Sequence, residues 1–316
     1  VGSAAAFTAP GAGPRWTQGV RPAPRSLCAH PTSPRETGAA ALLVAVSAAT
    51  GAALASVRAW RGRGKAARRG TQRRAWGDDI VWHNASVKSN VEAAKGLRLV
   101  TLEAPTEVTS PFQRGGQYVQ AKPGPDAKAS FYAISSPPSD SGPLEFLIKD
   151  VESNAWITGA ASGDMLQLSP AAGKGYDLGC EAWKEADVSQ VNIFATGSGI
   201  APMRAVIESG ALQGKVTRLY YGVREEAAMA YADRFGEWRK RGVEVMPVLS
   251  QPGGKWGGRT GYVQDAMRAD EEEVGDGWVL VKRHGALLCG QKEMVAGVRE
   301  VYGRLGLPVE RTLLNF

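Results

Sequence analysis

Val191-Asn192-Ile193-Phe194-Ala195-Thr196-Gly197-Ser198-Gly199-Ile200-Ala201-Pro202-Met203-Arg204 decides how the rest of the chain is read. A short apolar run ends in Thr-Gly-Ser-Gly and passes at once into Pro202 and an amphipathic segment. That pattern reads as buried strand, tight turn and helix start. Such a turn aims backbone N–H groups and the positive end of a helix at one point, and so suits a phosphate. Pro202 stands where the usual dinucleotide fingerprint has its third glycine. A strand-to-helix turn without a ligand has the same form, so the surroundings must carry the assignment.

On the C-terminal side, apolar strands alternate with helical patterns. Strands are expected at 191–195, 216–221, 243–249, 286–289 and 311–315, with helices at 202–209, 233–241, 261–268 and 292–305. This is the texture of an α/β doubly wound parallel sheet, whose ligand lies beyond the carboxyl ends of its strands. Those ends carry Thr196, Gly197, Ser198, Gly199 and Pro202, then Tyr221, Gly222 and Arg224, then Ser250 and Gln251, and finally Cys289 and Gly290. After the second strand, NAD-selective folds place a carboxylate for the ribose 2′-hydroxyl. Here no acid occurs from Leu219 to Gly222 and Arg224 follows, which favours a 2′-phosphate and NADPH over NADH. Arg234 and Arg259 are further candidates for that phosphate. Arg239-Lys240-Arg241 is a tight basic cluster that a solvated helix end explains equally well.

Upstream, from Ile80, short alternating runs are separated by Gly/Pro turns. Strands are expected at 80–87, 97–103, 117–122, 131–135, 144–149 and 165–169, which together predict a small antiparallel β-barrel. Between the last two, residues 153–158 read as a helical turn with Ser153 or Asn154 as its N-cap. The domain plan is therefore a leader at 1–77, a barrel at 78–172, a linker at 173–184 and a nucleotide-binding domain at 185–316.

The net charge of +7 over 316 residues looks like a nucleic-acid or membrane signal until it is divided. Residues 1–77 hold twelve Lys/Arg against one acid, Glu36, whereas the remainder holds 26 against 30. All the basic excess lies in the leader, and nucleic-acid binding is not expected of the body. Cys28, Cys180 and Cys289 lie far apart without a Cys-x-x-Cys pair, which speaks against a disulfide framework or structural zinc. With only His83 and His284 in the body, no metal site is expected.

The leader is rich in Ala, Arg, Ser, Pro and Gly, the composition of an organelle transit peptide. Ala39 to Val57 are 19 uncharged residues, nine of them Ala, followed by a basic run from Arg61 to Arg74. That length can span a bilayer. Two readings stand: a permanent membrane anchor, or a stop-transfer element within a removable presequence. Phe7-Thr8-Ala9-Pro10 resembles the Phe-x-Ala-Pro entry of transit peptides for algal plastids bounded by extra membranes. The expectation is a plastid protein, stromal or thylakoid-associated.

Phe112-Gln113-Arg114-Gly115-Gly116-Gln117-Tyr118-Val119 and Ser130-Phe131-Tyr132-Ala133-Ile134-Ser135-Ser136-Pro137 resemble the flavin domain of the ferredoxin-NADP reductase superfamily. The turns at 194–202, 219–222, 248–252 and 288–292 follow in that superfamily's order, and their wording is most similar to the plant plastid "fruit protein" group of FAD/NAD(P)-binding oxidoreductases. The resemblance implies a flavin β-barrel followed by a nucleotide domain, with FAD in the first and NADPH in the second. It implies that Tyr132 lies against the isoalloxazine, that backbone groups of Ala133, Ile134 and Ser135 hold its polar edge, and that the helix N-terminus at Ser153, Asn154 and Ala155 receives the pyrophosphate. Cys289 would lie beside the nicotinamide, and Phe316 would cover the flavin face. Two departures bear on flavin chemistry: Ser130 replaces the family's opening Arg, and Ala133 replaces the Ser or Thr near flavin N5. The acid that often follows the Cys-Gly turn falls at Val295.

The sequence thus predicts a plastid flavoprotein passing hydride between NADPH and FAD, with a small-molecule or protein acceptor on the far side. Its rival is a non-catalytic nucleotide-binding subunit that keeps the reductase fold, which Ser130 and Ala133 favour. Membrane association would run through 39–57 if the leader is retained.

Overall fold

The computed structural model describes residues 80–139, 142–274 and 282–315. The expected leader with its 39–57 stretch, and Phe316, lie outside the described residues. Among the described residues the chain forms two six-stranded sheets.

The first sheet is antiparallel. It comprises β1 (His83–Ala94), β2 (Leu97–Glu103), β3 (Tyr118–Lys122), β4 (Ser130–Ala133), β5 (Leu144–Lys149) and β6 (Met165–Leu168), in the order β4-β3-β6-β1-β2-β5. A short helix α1 (Thr106–Thr109) follows β2, and α2 (Ala155–Thr158) lies between β5 and β6. Alternate residues face inward, so that Val100, Leu102, Val119, Ile134, Phe146, Ile148 and Leu168 form one apolar core. The sheet rolls until its two end strands approach: Ser135 N–H donates to Glu145 O at 2.8 Å. Beyond that bond β4 and β5 pair with no further strand among the described residues, which leaves a seam. β1 runs seven residues past the expected end at Val87, because Ser89 to Ala94 pair with β2 across two bulges; polar Ser89, Asn90 and Glu92 hide that half of the strand from hydrophobic alternation. Asn90 is not idle, since its Nδ2 donates to the carbonyls of Thr158 (2.9 Å) and Ala160 (2.8 Å).

The second sheet is parallel, ordered β10-β9-β8-β7-β11-β12. Its strands are β7 (Gln190–Thr196), β8 (Val216–Val223), β9 (Val243–Leu249), β10 (Arg259–Thr260), β11 (His284–Cys289) and β12 (Thr312–Leu314). The helices α3 (Glu181–Glu185), α4 (Ile200–Glu208), α5 (Phe235–Lys240), α6 (Val263–Val274) and α7 (Lys292–Arg304) complete it. Residues of α3, α4 and α5 pack on one face and those of α6 and α7 on the other. The chain winds from β7 outward through β8 and β9, then crosses back to β11. Strand order therefore reverses at β7, and the crevice at such a reversal is where a doubly wound sheet binds its ligand. Residues 173–184, expected as a connector, are firmly packed: Tyr176 and Trp183 are buried in the core that also takes Leu97 and Leu147 of the first sheet.

A buried charge cluster joins the sheets. Arg204 on α4 is 4% exposed and pairs with Glu145 on β5 (2.5 Å) and with Glu208 one helical turn on (3.0 Å). The Tyr231 ring covers the guanidinium at 5.0 Å. Tyr231 reaches that place through a left-handed backbone, φ 61°, which a bulky residue adopts only at a cost. Burial alone would lower the Arg204 pKa, but Tyr231, Glu145 and Glu208 outweigh it and raise it. Removing the cation while leaving its partners strands buried negative charge. Arg204→Met is therefore expected to cost about 3–5 kcal/mol in urea unfolding, while the double variant Arg204→Met/Glu145→Leu recovers part of that loss.

Candidate active site

The turn after β7 is a 3₁₀ turn, Gly197–Gly199, running straight into α4. Pro202 lies in the first turn of that helix, where a missing N–H costs nothing. Two close approaches fix the turn. A side chain on Gly199 would collide with the Cys289 carbonyl, and one on Gly290 with Thr196 Oγ1. Only glycine lets the ends of β7 and β11 meet this closely. Across the contact, Gln291 N–H donates to Thr196 Oγ1 at 3.1 Å. From beneath, Tyr221 OH donates to Gly197 O at 3.2 Å and accepts from Ala230 N–H at 3.3 Å.

Two cavities open on this turn. The smaller, about 420 Å³, occupies the seam between β4 and β5 and is faced by the nucleotide-side turns. Tyr132 and Ala133 form part of one wall, and Ser198, Gly199, Pro202, Cys289 and Gly290 the other. Tyr132 is held by its hydroxyl, which donates to Asn154 Oδ1 at 3.1 Å, and by an edge-on contact with Trp156. Asn154 in turn donates to Lys149 O at 2.9 Å. Asn154 does occupy the N-cap position of α2, but its side chain makes no capping bond; those two longer-range bonds consume it.

The larger cavity, about 910 Å³, runs along the carboxyl ends of the parallel strands, past Gly197, Gly222, Arg224, Ser250 and Gln251. Gly222 permits it by lacking a side chain that would meet Val263. The turns that frame it are braced by Ser250 N–H to Val223 O (3.0 Å) and Gln251 N–H to Arg224 O (2.7 Å). Arg224 is exposed, and its acidic neighbour Glu225 is taken up by Lys95 at 2.6 Å. Thr196, Lys149 and Gln291 line both cavities and mark where they join.

The side chains of several expected residues do not line either cavity. Ile134 and Ser135 are fully buried, Ile134 in the barrel core and Ser135 beside the Tyr231 hydroxyl, and neither side chain lines a cavity. Ser153 and Ala155 are exposed on the surface outside both cavities. Tyr221 supports the turn from below and does not face the groove. Arg234 pairs with Glu208 at 3.1 Å, and Arg259 pairs with Asp270. Among the described residues Arg224 has no such carboxylate partner and lines the larger cavity. The basic cluster is likewise engaged: Lys240 pairs with Glu237, Arg239 donates to Val245 O, and Arg241 to Glu208 O.

Three groups were not read from the sequence. Lys149 ends β5 and supplies a cation to both cavities. Tyr262, 61% exposed, offers an aromatic face to the groove just before α6. Lys95, Gly96 and Leu97, from the β1–β2 turn, form a wall of the groove held by Lys95 N–H to Ala227 O at 2.8 Å. An exposed aromatic at a strand-to-helix junction was a readable signal for Tyr262. Nothing local marked the hairpin.

Cys289 is 9% exposed and borders the smaller cavity. Burial pushes its thiol up to about 12, against a smaller downward pull from the Tyr176 hydroxyl. At pH 8 only about one molecule in ten thousand would carry the thiolate, so Cys289 is a small neutral neighbour and not a nucleophile. Iodoacetamide labelling followed by mass spectrometry should show Cys180, which is partly exposed, modified far faster than Cys289. The Cys289 rate should rise about tenfold per pH unit between pH 8 and 10; equal labelling at pH 8 would refute the neutral thiol.

Residues 193–300 match a family model described as the oxidoreductase NAD-binding domain. Fruit protein pKIWI502 of Actinidia deliciosa is 32% identical over 253 residues, covering 75% of this chain and 78% of that protein. An NAD(P)H-flavin reductase of Vibrio harveyi is 24% identical over 229 residues, covering 69% and 92% respectively. Among solved structures, a ferredoxin NADP+ reductase from Neisseria gonorrhoeae with bound FAD and NADP superposes with a TM-score of 0.60 at 17% identity, over 74% of this chain and 99% of that one. With an antiparallel sheet seamed at β4 and β5, a parallel sheet reversing at β7, and a relative of this identity spanning both, the chain belongs to the ferredoxin-NADP reductase superfamily.

Proposed function

We propose that this chain is a FAD-containing oxidoreductase that takes hydride from NADPH and passes electrons to a separate acceptor. The observation that carries the reading is the junction of two cavities at Thr196, Lys149 and Gln291. One cavity suits a flat ring and the other an extended nucleotide.

The residues present fit a flavin in the seam. The outer edges of β4 and β5 carry backbone donors and acceptors that no other strand among the described residues takes up, and a ring with a polar edge satisfies such groups. Tyr132 offers a fixed aromatic face, and Lys149 and Asn154 stand by for a diphosphate where Ser130 brings no charge. Bound there, FAD would supply two-electron redox chemistry that no side chain of the chain can. The protein's own part is to place donor and acceptor rings in register and to keep water out. Ala133 gives the flavin edge no hydroxyl, so fine tuning there rests on backbone groups.

The nucleotide groove supports NADPH. The ends of β7, β8 and β9 present the Gly197 turn, Arg224 and Ser250 to one elongated space, and Tyr262 exposes a ring on which an adenine can stack. Arg224 is the cation for a 2′-phosphate. The acceptor is a small molecule or a redox protein. The net acidic body disfavours an acidic partner docked by long-range attraction. Plastid residence, stromal or at the thylakoid, is supported by the transit-like composition of residues 1–77.

The purified protein is expected to show flavin absorbance that bleaches anaerobically, faster with NADPH than with NADH. Arg224→Ala should lower kcat/KM for NADPH about tenfold to a hundredfold, the range for a hydrogen bond to a charged group, and leave that for NADH unchanged. A colourless protein that binds NADPH but cannot be loaded with FAD would sink the redox reading and leave a nucleotide-binding subunit.

A further inference from the structure

Lys95 belongs to the barrel yet reaches the nucleotide groove. Lys95-Gly96 is the two-residue turn between β1 and β2, closed where Ala94 pairs with Leu97. Gly96 takes the left-handed backbone, φ 73°, that so tight a turn needs. The tip is then held from both halves of the molecule. Gly96 O accepts from Asp150 N–H at 3.0 Å on the barrel side, and Lys95 N–H donates to Ala227 O at 2.8 Å on the nucleotide side. Leu97 is 5% exposed and packs in the core that contains Val223 and Met229. From this fixed backbone Lys95 extends to Glu225, Nζ to Oε1 2.6 Å, and both residues line the same groove as Arg224.

Glu225 directly follows Arg224, at the strand end where a carboxylate selects the ribose 2′-hydroxyl and repels a 2′-phosphate. Glu226 does not line the groove, so Glu225 is the acid of this turn that a bound nucleotide meets. Of the other acids lining the groove, Asp150 follows β5 and accepts from Thr158 Oγ1 at 2.8 Å, and Glu293 belongs to the first turn of α7. An exposed ion pair contributes little to stability, and the Lys95 and Glu225 side chains stay 67% and 45% exposed. The consequence of the pair lies instead in the field beside the neighbouring guanidinium. With Glu225 neutralised, Arg224 presents its charge to a phosphate undiminished.

We infer that Lys95, a residue of the barrel, sets the preference of the groove for a 2′-phosphorylated nucleotide by neutralising Glu225. The inference rests on the oxidoreductase reading given above and deepens it: the charge that decides between NADPH and NADH comes in part from outside the nucleotide domain. Lys95 acts through Glu225 and is a positioning residue, with no contact of its own to the phosphate. Docking of the barrel hairpin on the turn after β8 is thereby coupled to the choice of nucleotide.

The test uses the full chain and three variants, Lys95→Gln, Lys95→Arg and the double variant Lys95→Gln/Glu225→Gln. Dissociation constants for 2′,5′-ADP and 5′-AMP, which differ only in the 2′-phosphate, are measured by calorimetry at low ionic strength, where surface charge is least screened. Lys95→Gln should lower the affinity for 2′,5′-ADP relative to 5′-AMP about threefold to tenfold, the scale of one charge acting on a phosphate in largely aqueous surroundings. Lys95→Arg should keep the wild-type ratio within about twofold, and the double variant should return to within about twofold of it, because the unpaired carboxylate is gone. The thermal midpoint of Lys95→Gln should move by less than about 4 °C, as for an exposed pair. The inference is overturned by an unchanged ratio in Lys95→Gln, by an equal loss for both nucleotides, which would mark Lys95 as structural, or by a double variant that stays as weak as Lys95→Gln, which would put Lys95 itself on the phosphate. Wild-type protein that binds 2′,5′-ADP no more tightly than 5′-AMP overturns the NADPH reading and this inference with it. A wild-type preference that survives intact in Lys95→Gln overturns the inference alone.

Discussion

The buried guanidinium of Arg204 is the constraint on which the rest of the arrangement depends. It extends from the helix that begins at the Gly197–Gly199 turn and pairs with a carboxylate on the barrel strand that borders the seam. One charged contact thus ties the orientation of the nucleotide turn to the edge of the barrel. Glu208 belongs to the same helix and is itself held by Arg234 and by the Trp238 indole N–H, each at 3.1 Å. In a desolvated cluster of this kind the loss or displacement of one charge leaves the others buried and uncompensated. The cluster therefore admits one relative placement of the two sheets, and a left-handed Tyr231 completes it at a local cost.

Within that placement, the distance between the ends of β7 and β11 is set by what is missing. Gly199 and Gly290 let backbone approach backbone and hydroxyl, and the Thr196 hydroxyl then ties the two turns together. Both cavities exist because strands end here without side chains to fill the space. A strand-order reversal opens the crevice, and small residues keep it open. The same logic makes the site largely preformed, since its walls are strand ends and a braced turn.

The chemistry around the smaller cavity is spare. Ala133 brings no hydroxyl and Ser130 no charge, and Cys289 is a protonated thiol at neutral pH. What the walls do carry is polar at a few points, among them Thr196, Ser198, Gln291, Asn154, Lys149 and Asn315. A site of this character orients rings and excludes water, leaving bond making and breaking to bound cofactors. The larger groove is more conventional, with a cation, a serine and an exposed aromatic ring in line along the strand ends.

By itself, the sequence determined the class of each half. Period-two alternation around Val100, Leu102, Phe146 and Ile148 marked antiparallel strands, and apolar runs alternating with helical patterns marked a parallel sheet. It also marked the strand-end residues Thr196 to Gly199, Arg224, Ser250, Cys289 and Gly290, because glycine, polar and basic residues directly after an apolar run are local signals. The tertiary structure alone decided which neighbours those residues meet. Arg234 and Arg259 look as free in the sequence as Arg224, and only folding pairs them with Glu208 and Asp270. Ser135 and Tyr221 sit in motif positions yet point into the core. Lys149, Lys95 and Asn315 reach the cavities from three separate segments. Such convergence arises from strand order and from which face a side chain takes, and pairing between distant segments leaves no periodic trace along a single chain.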